Sequence, residues 1–140
     1  MSPADVFSFA NMTAMPMWIL MILLPKWKVT RFLIDFKIIP LLLSIVYVIY
    51  IFQAIQIGGG MDFGSLASVM QLFTEEHAVL AGWVHYLAFD LIVGMWILNQ
   101  NKTLGIHQLL IAPCLFATFM FGPVGFLLFM ILKAIKQSKS

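Results

Sequence analysis

Charge is what this chain has least of. Asp, Glu, Lys and Arg make up only 10% of its 140 residues, where a soluble domain of this size carries roughly 25%. Hydrophobic residues reach 62% and the mean hydropathy is +1.00. So little polar surface cannot cover a water-soluble globule. The class is integral membrane, and the length suits one compact transmembrane domain spanning residues 1–140. Cys114 is the single cysteine, which excludes an internal disulfide. No basic patch is interleaved with aromatics, so nucleic acid is not an expected partner. None of the eight Lys and Arg lies inside an apolar core. The basic front and small-residue cleavage site of a signal peptide are missing too, so the first apolar segment counts as a span. No internal repeat and no low-complexity tract occurs.

Four apolar segments are present, near residues 5–24, 38–57, 75–99 and 107–132. Each supplies the ~20 residues needed to cross a bilayer. The expected fold is an all-α, integral membrane four-helix transmembrane bundle. Ser2, Pro3 and Asp5 suit a capped start to the first span, and Pro16 predicts a bend in it. Gly58, Gly59 and Gly60 end the second and open a polar loop. Thr74 is placed to cap the third, with Glu75 and Glu76 favoured in its first turn. In the fourth, Pro113 and above all Gly122-Pro123 predict a kink.

Lys26, Lys28, Arg31 and Lys37 crowd the first loop, while the second holds only acids, Asp62, Glu75 and Glu76. Positive charge collects in the cytoplasm, so the first loop belongs inside and the N-terminus outside. Four crossings would put Lys133, Lys136 and Lys139 outside, against the same rule. Either the rule is overridden or the fourth segment does not cross fully. Trp27 and Trp96 fit an inner aromatic belt.

Two ionisable side chains lie inside the third span, His85 and Asp90. At ~1.5 Å rise per residue, and with Leu98 and Ile38 taken as inner ends, Asp90 lies ~12 Å and His85 ~20 Å into a core ~30 Å thick. Asn11, Tyr50 and Gln53 then fall near His85. Tyr47, Ser44 and Thr118 fall near Asp90. His85 and Asp90 are separated by ~140° around the helix, so they flank a cavity or only one of them acts. An unpaired charge is costly at this depth. Asp90 is therefore expected either as a neutral hydrogen-bond donor or as one member of a pair. An imidazole and a neutral carboxyl form a usable base and acid. The competing structural role for both is an interhelical hydrogen bond worth ~0.6 to 2 kcal/mol. For His77 and His107 an interfacial position accounts for the residue. No metal site is expected: His77 and His85 are eight residues apart and neither HExxH nor a Glu-x-x-His pair occurs.

Trp83, Val84, His85, Leu87, Ala88, Asp90 and Leu91, followed by Pro113, Cys114, Leu115, Gly122, Pro123 and Gly125, resemble the abscisic acid-deficient 4-like family of small membrane proteins, whose plant members are known as neoxanthin synthase. The resemblance implies a four-span fold and an association with carotenoids: in plants the family is linked to conversion of violaxanthin to neoxanthin in plastid membranes. That reaction opens an epoxide and leaves an allene without net redox change, so acid and base are what it needs. Asp90 and His85 are the expected catalytic pair. Trp83, Tyr47, Tyr50, Gln53, Asn11 and Thr118 are the expected substrate-binding residues. No cofactor is expected. Expected partners are membrane lipid and a carotenoid or other isoprenoid ligand, and a homo-oligomer is left open. A short chain without a transit peptide suits a multi-pass protein of a bacterial inner membrane. The expected activity is an intramolecular isomerisation. The alternative is a non-catalytic lipid- or pigment-binding or membrane assembly protein.

Overall fold

The computed structural model describes residues 2–58 and 61–139, and they are all helix and connecting turns. Six helices follow in order: α1 (Pro3–Leu23), α2 (Lys28–Phe36), α3 (Ile38–Gly58), α4 (Leu66–Leu72), α5 (Glu76–Leu104) and α6 (Gln108–Ser138). Four of them, α1, α3, α5 and α6, are long and apolar enough to cross a membrane. Large apolar side chains such as Met12, Leu23, Leu41 and Phe52 stay exposed on their outer faces. In water that surface would be unstable; in lipid it is solvated.

The helix ends follow from local chemistry. Ser2 accepts from the Asp5 N–H, and the Asp5 carboxylate accepts from the Ser2 N–H, closing a capping box. The cap of α5 is one residue later than expected. Glu75, not Thr74, accepts from the Ala78 N–H at 2.8 Å, while the Thr74 hydroxyl donates back to the Gln71 carbonyl. α5 also continues past Asn99 to Leu104, where Gly105 turns the chain at φ +69°, a backbone that glycine adopts without a Cβ penalty. The two loops expected between the first three spans each contain a helix. α2 buries Thr30 and Ile34 and exposes Lys28, Phe32 and Phe36, an amphipathic pattern suited to the membrane surface.

α5 is the central helix and packs against α1, α3 and α6. Small residues permit the closest approaches. A Cβ on Gly94 would come within 2.9 Å of Trp18 and 2.8 Å of Met21 on α1. Val84, Leu91 and Met95 of α5 join Ala10, Met17 and Met21 of α1 and Leu43 of α3 in one buried core.

The helices run through Pro16 and Pro113 without leaving helical geometry. α6 breaks at Phe121 (φ −143°, ψ 54°), beside the Gly122-Pro123 position where the kink was expected. The break reverses the chain. Gly125 packs directly on Thr118 and the Cys114 carbonyl, residues it would be far from in a continuous helix. At the start of α6, Gln108 donates to the Ile22 and Leu23 carbonyls at the end of α1. The tip lies at Tyr86, and the returning half brings Lys133 to Gln100, 3.0 Å away near the end of α5. Residues 108–120 and 122–138 therefore form a helical hairpin with both feet at the same end of the bundle. Of the two alternatives raised by the charge distribution, this is the incomplete crossing. Lys133, Lys136 and Lys139 lie at the end occupied by Lys26, Lys28 and Arg31, so the positive-inside pattern and the fold agree.

Candidate functional site

A hairpin that turns inside a bundle exposes backbone groups at its tip: carbonyls at the end of its first half and N–H groups at the start of its second. With no water to satisfy them, neighbouring side chains must. Two residues of α5, one turn apart and on one face, meet this tip. The Tyr86 hydroxyl is 3.0 Å from both the Phe119 and Met120 carbonyls, with its proton shared between them. The Asp90 carboxylate lies against Gly122, so closely that a Cβ there would collide with Oδ1. Asp90 is only 9% exposed, and its Oδ2 is fully buried without a hydrogen-bond partner. A carboxyl oxygen so placed can give or take a proton, or bind a hydroxyl or ether oxygen brought to it.

Next to this tip is an apolar cleft of about 360 Å³ between α1, α5 and α6, lined by Asn11, Ala14, Met15, Trp83, Tyr86, Leu87, Phe119 and Met120. Trp83 and Tyr86 stack at 5.4 Å between ring centroids, and Phe7 flanks Trp83 at 5.4 Å. The Trp83 indole N–H donates to Asn11 Oδ1 at 2.8 Å. That bond fixes the indole as part of the wall. Three residues singled out from sequence, Trp83, Asn11 and Asp90, thus meet around the α1–α5–α6 junction.

The others are elsewhere. His85 is exposed and lies on the α3 flank of α5, 5.7 Å from the Tyr47 ring and 4.8 Å from Phe89. Imidazole and carboxyl therefore point to different flanks, as five-residue spacing requires. Tyr47 was expected at the depth of Asp90 and is found at that of His85. Tyr50 was expected at His85 and stacks on His77 at 6.2 Å. Tyr47 is shifted by about one turn and Tyr50 by about two, because α5 runs on beyond Leu98, so Leu98 is not level with Ile38. Gln53 lies on the exposed side of α3. Thr118 is buried, but its hydroxyl donates to the Cys114 carbonyl at 2.7 Å and its side chain fills the space left by Gly125. Ser44 and Thr13 likewise donate to carbonyls four residues back, the usual way to satisfy a hydroxyl inside a helix. Trp96 packs against Phe126, Phe129 and Lys133 of the returning half of α6. His107 caps α6 by accepting from the Leu109 N–H at 3.1 Å.

Tyr86 was not singled out from sequence. The signal available was its position four residues before Asp90, which puts the two on one helical face. What that face meets depends on the reversal of α6.

Comparisons with known proteins place most of the chain in one family. The family model described as ABA DEFICIENT 4-like matches residues 5–129. The chain is 22% identical over 142 residues to a protein of Arabidopsis thaliana called Protein ABA DEFICIENT 4, chloroplastic, an alignment that covers 94% of this chain. The chain spans 62% of that relative's length. No solved structure matches. The match takes in α1, α3, α5 and the hairpin tip of α6 together, and the chain belongs to the ABA DEFICIENT 4-like family.

Proposed function

We propose that this membrane protein isomerises the end group of a carotenoid or related isoprenoid at the α1–α5–α6 junction, with Asp90 as the group that moves the proton. The observation that carries the reading is the buried, unpartnered Oδ2 of Asp90, one turn along α5 from Tyr86, which lines an aromatic-walled cleft. The cleft, at about 360 Å³, is the size of a ring rather than of a whole polyene, so the rest of such a ligand would lie in the surrounding lipid. An epoxide oxygen takes a proton from the Asp90 carboxyl as its C–O bond opens. The carboxylate left behind takes the proton from the adjacent vinylic carbon, forming the allene and restoring the acid. Atoms and charge balance, and no oxidant or reductant is consumed. His85, on the other flank, acts outside this step.

The separation of His85 from Asp90 favours a second reading, in which the cleft binds a pigment or lipid without changing it. One experiment tests both. The chain and its Asp90→Asn and His85→Ala variants are produced in a host that makes epoxycarotenoids, and pigments are analysed in the cells and in the purified protein. A new isomeric pigment that requires Asp90 supports catalysis. Unchanged pigment that co-purifies supports binding. If no pigment changes or co-purifies with a well-folded wild-type chain, the carotenoid reading fails.

A further inference from the structure

At the end of the bundle where both feet of the hairpin lie, the turn after α1 together with α2, α5 and the start of α6 lines a second concavity, of about 550 Å³. It is independent of the junction around Asp90. Its polar rim gathers Lys26 from the turn after α1, Arg31 from α2, and Lys102 and Asn101 from the end of α5. His107 and Gln108 open α6 beside them, and Leu98, Ile106 and Ile111 form an apolar floor.

The positive-inside rule explains why cations are found at this end. It does not explain why three of them, from three separate elements, converge on one hollow. Nor does it explain the state of Arg31. Its Nη1 is completely buried and has no hydrogen-bond partner. Thr30 Oγ1 and Asn99 Oδ1, also at this end, are buried without partners too. An orphaned buried guanidinium nitrogen is costly unless an acceptor reaches it. The nearby acid, Asp35, stands 3.9 Å from Lys102 and is half exposed; it offsets one of the three cations at most. The other polar groups are committed: Asn101 clasps the α5–α6 turn through Ile106, and Gln108 caps α1.

We propose that this hollow binds a phosphoryl anion, with Arg31 as its principal donor and Lys26 and Lys102 supplying charge. A guanidinium offers paired N–H donors to phosphate oxygens, and lysines act as point charges around them. The apolar floor beside the cationic rim suits an amphiphile, a phosphate head with a hydrocarbon tail. The end of a membrane protein that faces anionic head groups is where such a ligand is met. The same chemistry would serve an anionic phospholipid, a prenyl phosphate, or a soluble phosphate.

The test uses the full chain, purified in detergent and stripped of lipid. Native mass spectrometry measures retention of phosphatidylglycerol against phosphatidylcholine. Thermal unfolding is followed with each lipid and, separately, with inorganic pyrophosphate. Phosphatidylglycerol is expected to be retained in preference to phosphatidylcholine and to raise the melting temperature. Arg31→Gln and Lys102→Gln are each expected to lower its affinity, Arg31→Gln by about tenfold, the loss of one charge-assisted hydrogen bond. Lys139→Gln, outside the hollow, is expected to leave it unchanged. If Arg31→Gln does not give a monodisperse helical protein, Lys102→Gln decides. Stabilisation by the lipid alone identifies a head group. Stabilisation by pyrophosphate that also competes with lipid identifies a soluble source. The proposal is overturned if neither stabilises, if the two lipids are retained equally and pyrophosphate does not stabilise, or if the well-folded variants bind as the wild type does.

Discussion

Tyr86 and Asp90 stand one turn apart on α5 and serve opposite sides of one break in α6. The Tyr86 hydroxyl meets the carbonyls that end the first half, and the Asp90 carboxylate lies against Gly122, where the second half begins. A donor faces acceptors and an acceptor faces the donor end of a helix, which is also the positive end of its dipole. The phenol satisfies the carbonyl side of the reversal, and the carboxyl packs on Gly122 at the other.

Removing the phenol should therefore loosen the tip. Tyr86→Phe leaves one part-buried and one exposed carbonyl without their donor and is expected to cost about 1–2 kcal/mol. Thermal unfolding in detergent checks this. A melting temperature equal to that of the wild type would show that the hydroxyl does not hold the break.

Gly122 has no room for a methyl group. Gly122→Ala should be strongly destabilising because its Cβ would occupy the position of the Asp90 carboxylate. Shortening the partner should relieve it, so Asp90→Ala/Gly122→Ala should be more stable than the sum of the single changes predicts. Strict additivity would mean that the two residues are not in contact.

The hairpin makes a statement about sidedness. With Cys114 replaced by Ala, single cysteines introduced at Lys28 and at Ser138 should react with a membrane-impermeant thiol reagent from the same side of sealed vesicles. A cysteine at Asp62 should react from the other side. Labelling of positions 28 and 138 from opposite sides would rule out the reversal at Phe121.

Asn101 fastens the turn between α5 and α6 twice, accepting from the Ile106 N–H at 2.8 Å and donating to its carbonyl at 2.9 Å. Asn101→Leu loses both bonds and should destabilise by about 1–3 kcal/mol. Because the turn also shapes the cationic hollow, phosphatidylglycerol retention should fall with it. Unchanged stability would show that Gly105 alone sets the turn.

Glu75 gives the acid dependence a sign. Burial pushes its carboxyl up, but the N–H groups of Ala78 and His77 and the His77 side chain outweigh that and hold it below its ordinary value. A carboxyl lowered in the folded state contributes stability that is present above the unfolded value and lost as pH falls through the folded one. Glu75→Gln should therefore flatten the acid side of the stability profile. The measurement is melting temperature against pH below about 5. Identical slopes for both proteins would remove Glu75 from the account.

The scale of the fold was legible in composition, because lipid imposes simple rules. Apolar runs of sufficient length marked the four long helices, Ser2-Pro3 and Gly58 marked ends, and Gly122-Pro123 marked the break. The short surface helices α2 and α4 were hidden because mixed polar segments of nine and seven residues look like loops. Asp90 stood out because a carboxyl in hydrocarbon needs a reason. Tyr86 did not, since a tyrosine in a span looks like ordinary packing.

The sequence by itself determined that this chain lives in a membrane, that its first loop gathers positive charge, and that the third span carries a carboxyl in an apolar setting. Those properties depend on residue type and on position along one helix. Only the tertiary structure decided that the fourth segment turns back at Phe121, that Asp90 and His85 serve different flanks, and that Arg31 and Lys102 face one hollow. Each of these depends on how far one helix slides and turns against another, and van der Waals contact at residues such as Gly94, Gly122 and Gly125 sets that relation. No periodicity along the chain encodes it.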